Sequence, residues 1–206
     1  MKKLDRGRTE VYLARLPETE CDAPLCPEER DRSVRAVANS LLRREKYYVW
    51  RLLELAVRDS LDAEPSEIGL RLEGERWTSE AAELSLSHSG GALAVAISGS
   101  PVGIDIEPLS GEGDGARIAD RFFDPAEREA YLAAPEEERR EVFLRIWTAK
   151  EAIFKSRREA VFAPSTVSSS DGQVYTACVR IGEGDHIISV ASRGRITLHT
   201  AELEGK

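Results

Sequence analysis

Val102-Gly103-Ile104-Asp105-Ile106-Glu107 puts isoleucines on one parity and carboxylates on the other. In a β-strand successive side chains point to opposite faces. Ile104 and Ile106 are therefore expected to enter a core, while Asp105 and Glu107 project together from the other side. Two carboxylates held that close repel unless a cation or a proton intervenes. Their oxygens suit a hard cation such as Mg2+, which takes one or two carboxylates and keeps positions for water and phosphate. The same hexapeptide also reads as a half-buried strand with two solvated acids, so the rest of the chain has to weigh the two readings.

The chain has 206 residues, 41% of them hydrophobic, enough to build one large domain or two small ones around packed cores. No apolar run approaches the length needed to span a bilayer, and Met1-Lys2-Lys3-Leu4-Asp5 lacks the apolar stretch of a signal peptide. The expectation is a cytoplasmic protein without a membrane partner. A formal charge of −8 argues against a general nucleic-acid binder. Local basic clusters, Arg43-Arg44 with Lys46 and Arg157-Arg158, can still hold anions. Cys21, Cys26 and Cys178 are odd in number and lack zinc-type spacing, which favours reduced thiols and leaves a Cys21–Cys26 bridge open.

Outward from the central hexapeptide, Leu84 to Ser98 reads as a hairpin of two apolar strands around Gly90-Gly91, with His88 near its tip. The carboxylate strand follows Gly99-Ser100-Pro101, so a three-stranded meander is expected. Val11 to Ala14 reads as a first strand, and Pro27 as the first position of a helix with acids in its opening turn. Val49, Leu52, Leu53, Ala56 and Val57 follow helical spacing and predict a long helix over 42–61, which Pro65 blocks from continuing. Ser110 to Gly115 is glycine-rich and reads as a loop between two halves. Beyond it the pattern predicts a helical region over 119–132 and a helix from Pro135 to Lys155, striped by Val142, Ile146, Ala149 and Ile153. Three strand-like runs close the chain: 174–181, 186–191 and 195–201. The fold class is α+β, with antiparallel sheets and packed helices in two similar lobes, 1–109 and 110–206, and a site in the cleft between them.

A second chemical cluster sits late on the last helix. Trp147, Glu151 and Lys155 are spaced four apart and share one helical face. Aromatic neighbours would partly desolvate Glu151 and raise its proton affinity, which makes it a candidate base or metal ligand. The plain alternative is an ordinary Glu-to-Lys pair on a helix surface. His88, between Ser87 and Ser89 beside a glycine turn, can contact a phosphate or simply be part of a polar turn.

Ser87-His88-Ser89-Gly90, Val102 to Glu107, and Trp147-Thr148-Ala149-Lys150-Glu151-Ala152-Ile153-Phe154-Lys155, in this order, resemble the three signature blocks of the 4'-phosphopantetheinyl transferase superfamily. The closer resemblance is to the long, surfactin-synthetase type. Arg121-Phe122-Phe123 with Glu127 is similar to the segment between the second and third blocks. The resemblance implies a pseudo-duplicated α/β fold and a holo-[carrier protein] synthase. Such an enzyme moves the phosphopantetheine arm of coenzyme A onto a serine of an acyl or peptidyl carrier protein and releases adenosine 3',5'-bisphosphate. It implies Asp105, Glu107 and Glu151 as Mg2+ ligands, Glu151 also as the base for the carrier serine, and Lys155 as the group that stabilises charge on the departing phosphate. It further implies that Ser87 and His88 touch coenzyme A, with Arg44, Lys46 and Arg76 near its phosphates. A monomer is expected, because one chain supplies both lobes.

Two stretches depart from the family pattern. Gly74-Glu75-Arg76-Trp77 stands where the family has Gly-Lys-Pro, and Ser156 to Val161 replaces a glycine-rich turn. Arginine and lysine differ in reach and geometry, so Arg76 is not a neutral replacement. A metal-dependent nuclease or phosphohydrolase also gathers carboxylates and a lysine, and a non-catalytic coenzyme A-binding relative would keep the fold alone. Both stay as alternatives at this point.

Overall fold

The parity of the carboxylate strand holds in space. In the computed structural model, which describes residues 4–19, 21–74, 76–111, 115–158 and 161–204, Ile104 and Ile106 are fully buried between two sheets. Asp105 and Glu107 face the opposite way, toward a long helix. Strands β1 (Arg8–Arg15), β4 (Glu83–Ser89), β5 (Ala92–Ser98), β6 (Val102–Pro108), β7 (Val174–Ile181), β8 (Gly184–Ser192) and β9 (Arg195–Thr200) build the sheets, with a small hairpin of β2 (Arg71–Glu73) and β3 (Arg76–Thr78). The helices are α1 (Glu28–Arg35), α2 (Ser40–Leu61), α3 (Gly115–Phe122), α4 (Pro125–Ala133) and α5 (Arg139–Arg157).

One sheet runs β4-β5-β1-β9 and the other β6-β8-β7. Pairing is antiparallel except for β1 with β9, which is parallel. The sheets stack face to face. Val11, Leu13 and the small Ala92, Ala94 and Ala96 of the first meet Val102, Ile104, Ile106, Ile188 and Val190 of the second. On the outer face of the first sheet, Tyr12, Leu93, Val95 and Ile97 pack on Val49, Leu52, Leu53, Ala56 and Val57 of α2. Each such fully buried aliphatic contributes about 1.5–3 kcal/mol relative to exposure. Helix α5 covers the outer face of the second sheet, with Ala152 and Ile153 against Ala191 and a Thr148–Ser189 hydroxyl bond of 2.7 Å. The layers are thus α2, sheet, sheet, α5.

The expected meander does not form. After Gly99-Ser100-Pro101 the chain leaves the first sheet, and β6 pairs with β8 instead of continuing beside β4 and β5. Serines join the two sheet edges. Ile104 N–H donates to Ser85 Oγ at 3.0 Å, Ile106 N–H donates to Ser87 Oγ at 3.3 Å, and Ser89 Oγ donates to Glu107 at 2.7 Å. Hydroxyls satisfy edge amides that would otherwise be buried without partners. Across 109/110 the halves exchange strands, β6 going to the sheet of β7 and β8, and β9 to that of β1.

Several boundaries move for local reasons. Asn39 caps α2 through Leu42 N–H at 2.9 Å, so the helix starts at Ser40, and it stops at left-handed Asp62 before Pro65 is reached. Pro65 instead opens a short 3-10 turn. Pro27 is the N-cap of α1 rather than its first residue. The helical region over 119–132 divides at Asp124-Pro125: Asp124 accepts Glu127 N–H at 2.9 Å, Glu127 returns the bond, and the proline disfavours helix at the residue before it. Pro135 lies in a turn that precedes α5. In the interlobe loop over 110–115, residues 112–114 lie outside the described residues, as do 159 and 160 after the third block.

Candidate active site

Two elements bring the acids together. Strand β6 presents Asp105 and Glu107 on one face, and α5 lies across that face with Glu151 and Lys155 one turn apart. Gly103 permits the approach: a Cβ there would stand 1.9 Å from the Ala152 carbonyl oxygen and 2.6 Å from Ser156 N. Lys155 Nζ donates to Asp105 Oδ1 at 2.7 Å and to the Ile104 carbonyl at 3.1 Å. Ser87 Oγ donates to the same Asp105 oxygen at 2.8 Å.

The three carboxylates feel one another. Burial first, and then the charge of Asp105, push the Glu151 carboxyl up to about 7, with Lys155 pulling the other way. Burial, and less so Asp105, raise Glu107, while the Ser89 hydroxyl bond opposes them. Asp105 Oδ2 is buried with no hydrogen-bond partner. Carboxylate oxygens beside an unpartnered buried oxygen are donors that fit a hard divalent cation. They are not arranged as a ready cage, because Lys155 already holds one Asp105 oxygen. Among the described residues no three acid, His or Cys side chains form a metal cluster.

Beside this group runs a groove of about 530 Å3 lined by Lys46, Trp50, Arg76, His88, Phe154 and Lys155, among others. His88 sits within β4, opposite Leu93, and not at the hairpin tip; Gly90 and Gly91, both with positive φ, make the turn. Burial lowers the His88 pKa, partly offset by Glu45, whose Oε2 lies 3.4 Å from Nδ1 without forming a hydrogen bond. Ser87 is buried and engaged with Asp105 and Ile106. Arg76 lines the groove while donating to the Lys155 carbonyl at 2.6 Å. Arg44 is not brought to the groove. It lines a separate pocket with Cys21 and Tyr47, and its guanidinium donates to the Glu18 carbonyl at 2.8 Å.

The structure adds residues the motifs did not single out. Arg30 lies 4.7 Å over the Trp50 ring, donates to the Lys46 carbonyl at 3.1 Å, and is lowered to about 10 by burial. Nothing in its arginine-rich helix marks it out beforehand. Lys150 is completely buried and bonds Glu127 at 2.6 Å. That pair had a signal: 146, 149, 150 and 153 form one i, i+3, i+4, i+7 stripe, and Lys150 is its only charged member.

A family model described as 4'-phosphopantetheinyl transferase superfamily matches residues 101–190, the stretch that carries both carboxylate elements. The match makes that stretch similar to the superfamily and covers less than half of the chain. The chain is 26% identical over 170 residues to 4'-phosphopantetheinyl transferase HetI of Nostoc sp., covering 74% of this chain and 70% of that protein. It is 35% identical over 100 residues to 4'-phosphopantetheinyl transferase Sfp of Bacillus subtilis, covering 45% of this chain and 42% of the relative. Against 4'-phosphopantetheinyl transferase AcpT of Salmonella typhimurium, identity is 34% over 106 residues, covering 47% and 55%. The matched part therefore spans 70% of the first of these transferases and only about half of the other two. Asp105, Glu107, Glu127, Lys150, Glu151 and Lys155 all lie inside the superfamily match; Lys46, Arg76, Ser87 and His88 precede it.

Proposed function

We propose that this chain transfers the 4'-phosphopantetheine arm of coenzyme A to a serine hydroxyl of an acyl or peptidyl carrier protein, releasing adenosine 3',5'-bisphosphate. The observation that carries the reading is the meeting of Glu151 and Lys155 with Asp105 and Glu107 beside an anion-compatible groove. The groove suits the nucleotide, with Arg30, Lys46 and His88 toward its phosphates. Lys155 directs its ammonium at the pyrophosphate, where charge grows as the phosphorus–oxygen bond to the nucleotide breaks. The serine oxygen forms the new bond to the pantetheine-side phosphorus, and Glu151 accepts its proton. In the metal-free protein, burial and Asp105 raise this carboxyl to about 7, and a cation held beside it would favour the ionised form that accepts the proton.

Asp105, Glu107 and Glu151 would hold Mg2+, which supplies positive charge against the pyrophosphate when bound. The surfactin-synthetase type and the pseudo-duplicated lobes, 1–109 and 110–206, belong to the same reading. Their support is that each sheet carries one long helix on its outer face, α2 on one and α5 on the other. One chain then supplies the whole cleft, which favours a monomer. No helix among the described residues is long and apolar enough to cross a membrane, and no disulfide joins Cys21, Cys26 and Cys178. A cytoplasmic setting, in which thiols stay reduced, belongs to the same proposal.

The deciding experiment incubates candidate apo-carriers with coenzyme A and Mg2+ and weighs them by mass spectrometry. Gain of the arm's mass on serine is the expected result. No gain on fatty-acid, polyketide or peptide-synthetase carriers would leave the function unsupported.

A further inference from the structure

The last carbonyls of a helix find no partner within it. Lys155, near the end of α5, carries one of them. Arg76 reaches over from β3 and donates an Nη1 hydrogen to that oxygen at 2.6 Å, while the Arg158 amide reaches it at a longer 3.4 Å. A cation at this end also opposes the helix dipole. The Arg158 guanidinium adds a second tie, pairing with Glu83 on β4. On the opposite side the final turn of α5 rests backbone to backbone on Gly103. The turn is thus gripped between β6 and the β3–β4 side of the molecule. At its far end the Lys155 side chain bonds Ile104 and Asp105.

We propose that Arg76 is a positioning residue: it holds the Lys155 main chain so that the ammonium stays at Asp105, and is not itself the neutraliser of a coenzyme phosphate. The kinetic side of this inference rests on the transferase reading; the structural side does not. An arginine lining an anion groove would ordinarily be taken as a phosphate contact. The two roles separate kinetically. A contact made equally with bound substrate and transition state is seen in KM, whereas a displaced catalytic group is seen in kcat.

The test compares wild type with Arg76→Met, which keeps an unbranched apolar stem and loses every donor, and with Arg76→Lys, whose ammonium can still reach the carbonyl. Arg76→Met is expected to lower kcat about ten- to a hundredfold, as small misplacements of a catalytic group do. Its KM for coenzyme A should move less than about threefold, and Arg76→Lys should recover most of the rate. A second measurement needs neither coenzyme A nor carrier. Reductive methylation read by peptide mass spectrometry should label Lys155 faster in Arg76→Met than in wild type, with Lys46 as internal reference. Circular dichroism confirms equal folding, and Arg76→Leu, which also lacks a side-chain donor, is read the same way if the methionine variant fails to fold. A KM rise of more than about tenfold at unchanged kcat overturns the inference, as does unchanged Lys155 labelling. If wild type modifies no carrier, the function assigned above fails, while the labelling comparison still decides the role of Arg76.

Discussion

Glu151 combines two properties that pull apart. It is placed to take a proton, and the protein is strained by keeping it charged. Its carboxyl is raised to about 7 by burial and by Asp105, so between the ordinary carboxylate range and 7 the folded chain holds a proton that the unfolded chain has released. Its contribution to stability is present at low pH and is lost as pH rises through about 7. Glu151→Gln removes that loss. Melting in chelator should show the variant more stable than wild type at pH 8, with the gap closing toward pH 5, while transfer falls about a hundredfold or more, as expected for loss of a base. Equal melting at both pH values would show that Glu151 is not destabilised by its surroundings. Asp105→Ala should likewise abolish carrier labelling with the fold intact. Lys150 makes the opposite case. Fully buried on Glu127, it is structural, and Lys150→Met should cost about 3–5 kcal/mol by leaving Glu127 without its counter-ion. Adding Glu127→Gln, which is uncharged and keeps an oxygen to accept the Asp124 N–H, should recover part of that loss in a denaturant titration.

Elements explain which parts of the site were readable beforehand. The alternation in Val102 to Glu107 and the spacing of Trp147, Glu151 and Lys155 each fix a face of one element, and both faces are where the sequence puts them. What they face is a matter of packing between elements, and local pattern does not encode it. Ser85, Ser87 and Ser89 look like the polar parity of a hairpin strand, yet they bond to the edge of a strand in another sheet. Arg44 and Lys46 sit two apart on α2 and so point in different directions, and only Lys46 reaches the groove. The contact of α5 with β6 depends on Gly103. Gly103→Ala drives a methyl into the Ala152 carbonyl and should cost about 1–3 kcal/mol or more, as overpacking does. It should also lower transfer by lifting Glu151 from Asp105. Loss of both stability and rate is expected; an alanine variant with full rate would mean that α5 can shift without consequence.

At the scale of the whole molecule, the two halves exchange strands and share one inter-sheet core, so they are expected to unfold together. Trp50 and Trp77 report on the first half and Trp147 on the second. Selective tryptophan replacement should give coincident denaturant midpoints from both halves and from far-ultraviolet circular dichroism; two separated midpoints would show that the lobes are independent units. The three-residue strands β2 and β3 are too short to show a periodicity and were not foreseen, whereas the strands of the two large sheets were legible in theirs. Their sheet membership was not, because β1 and β9 are joined across almost the full length of the chain. That parallel pairing also bears on biosynthesis. A ribosome releases β1 first, and β5 can zip along one side of it early. Its other margin has no companion until His199 has emerged to stack on Tyr12. Through most of translation the nascent polypeptide therefore displays a bare row of amides and carbonyls, a natural landing place for trigger-factor-like chaperones and, without them, for a neighbouring copy.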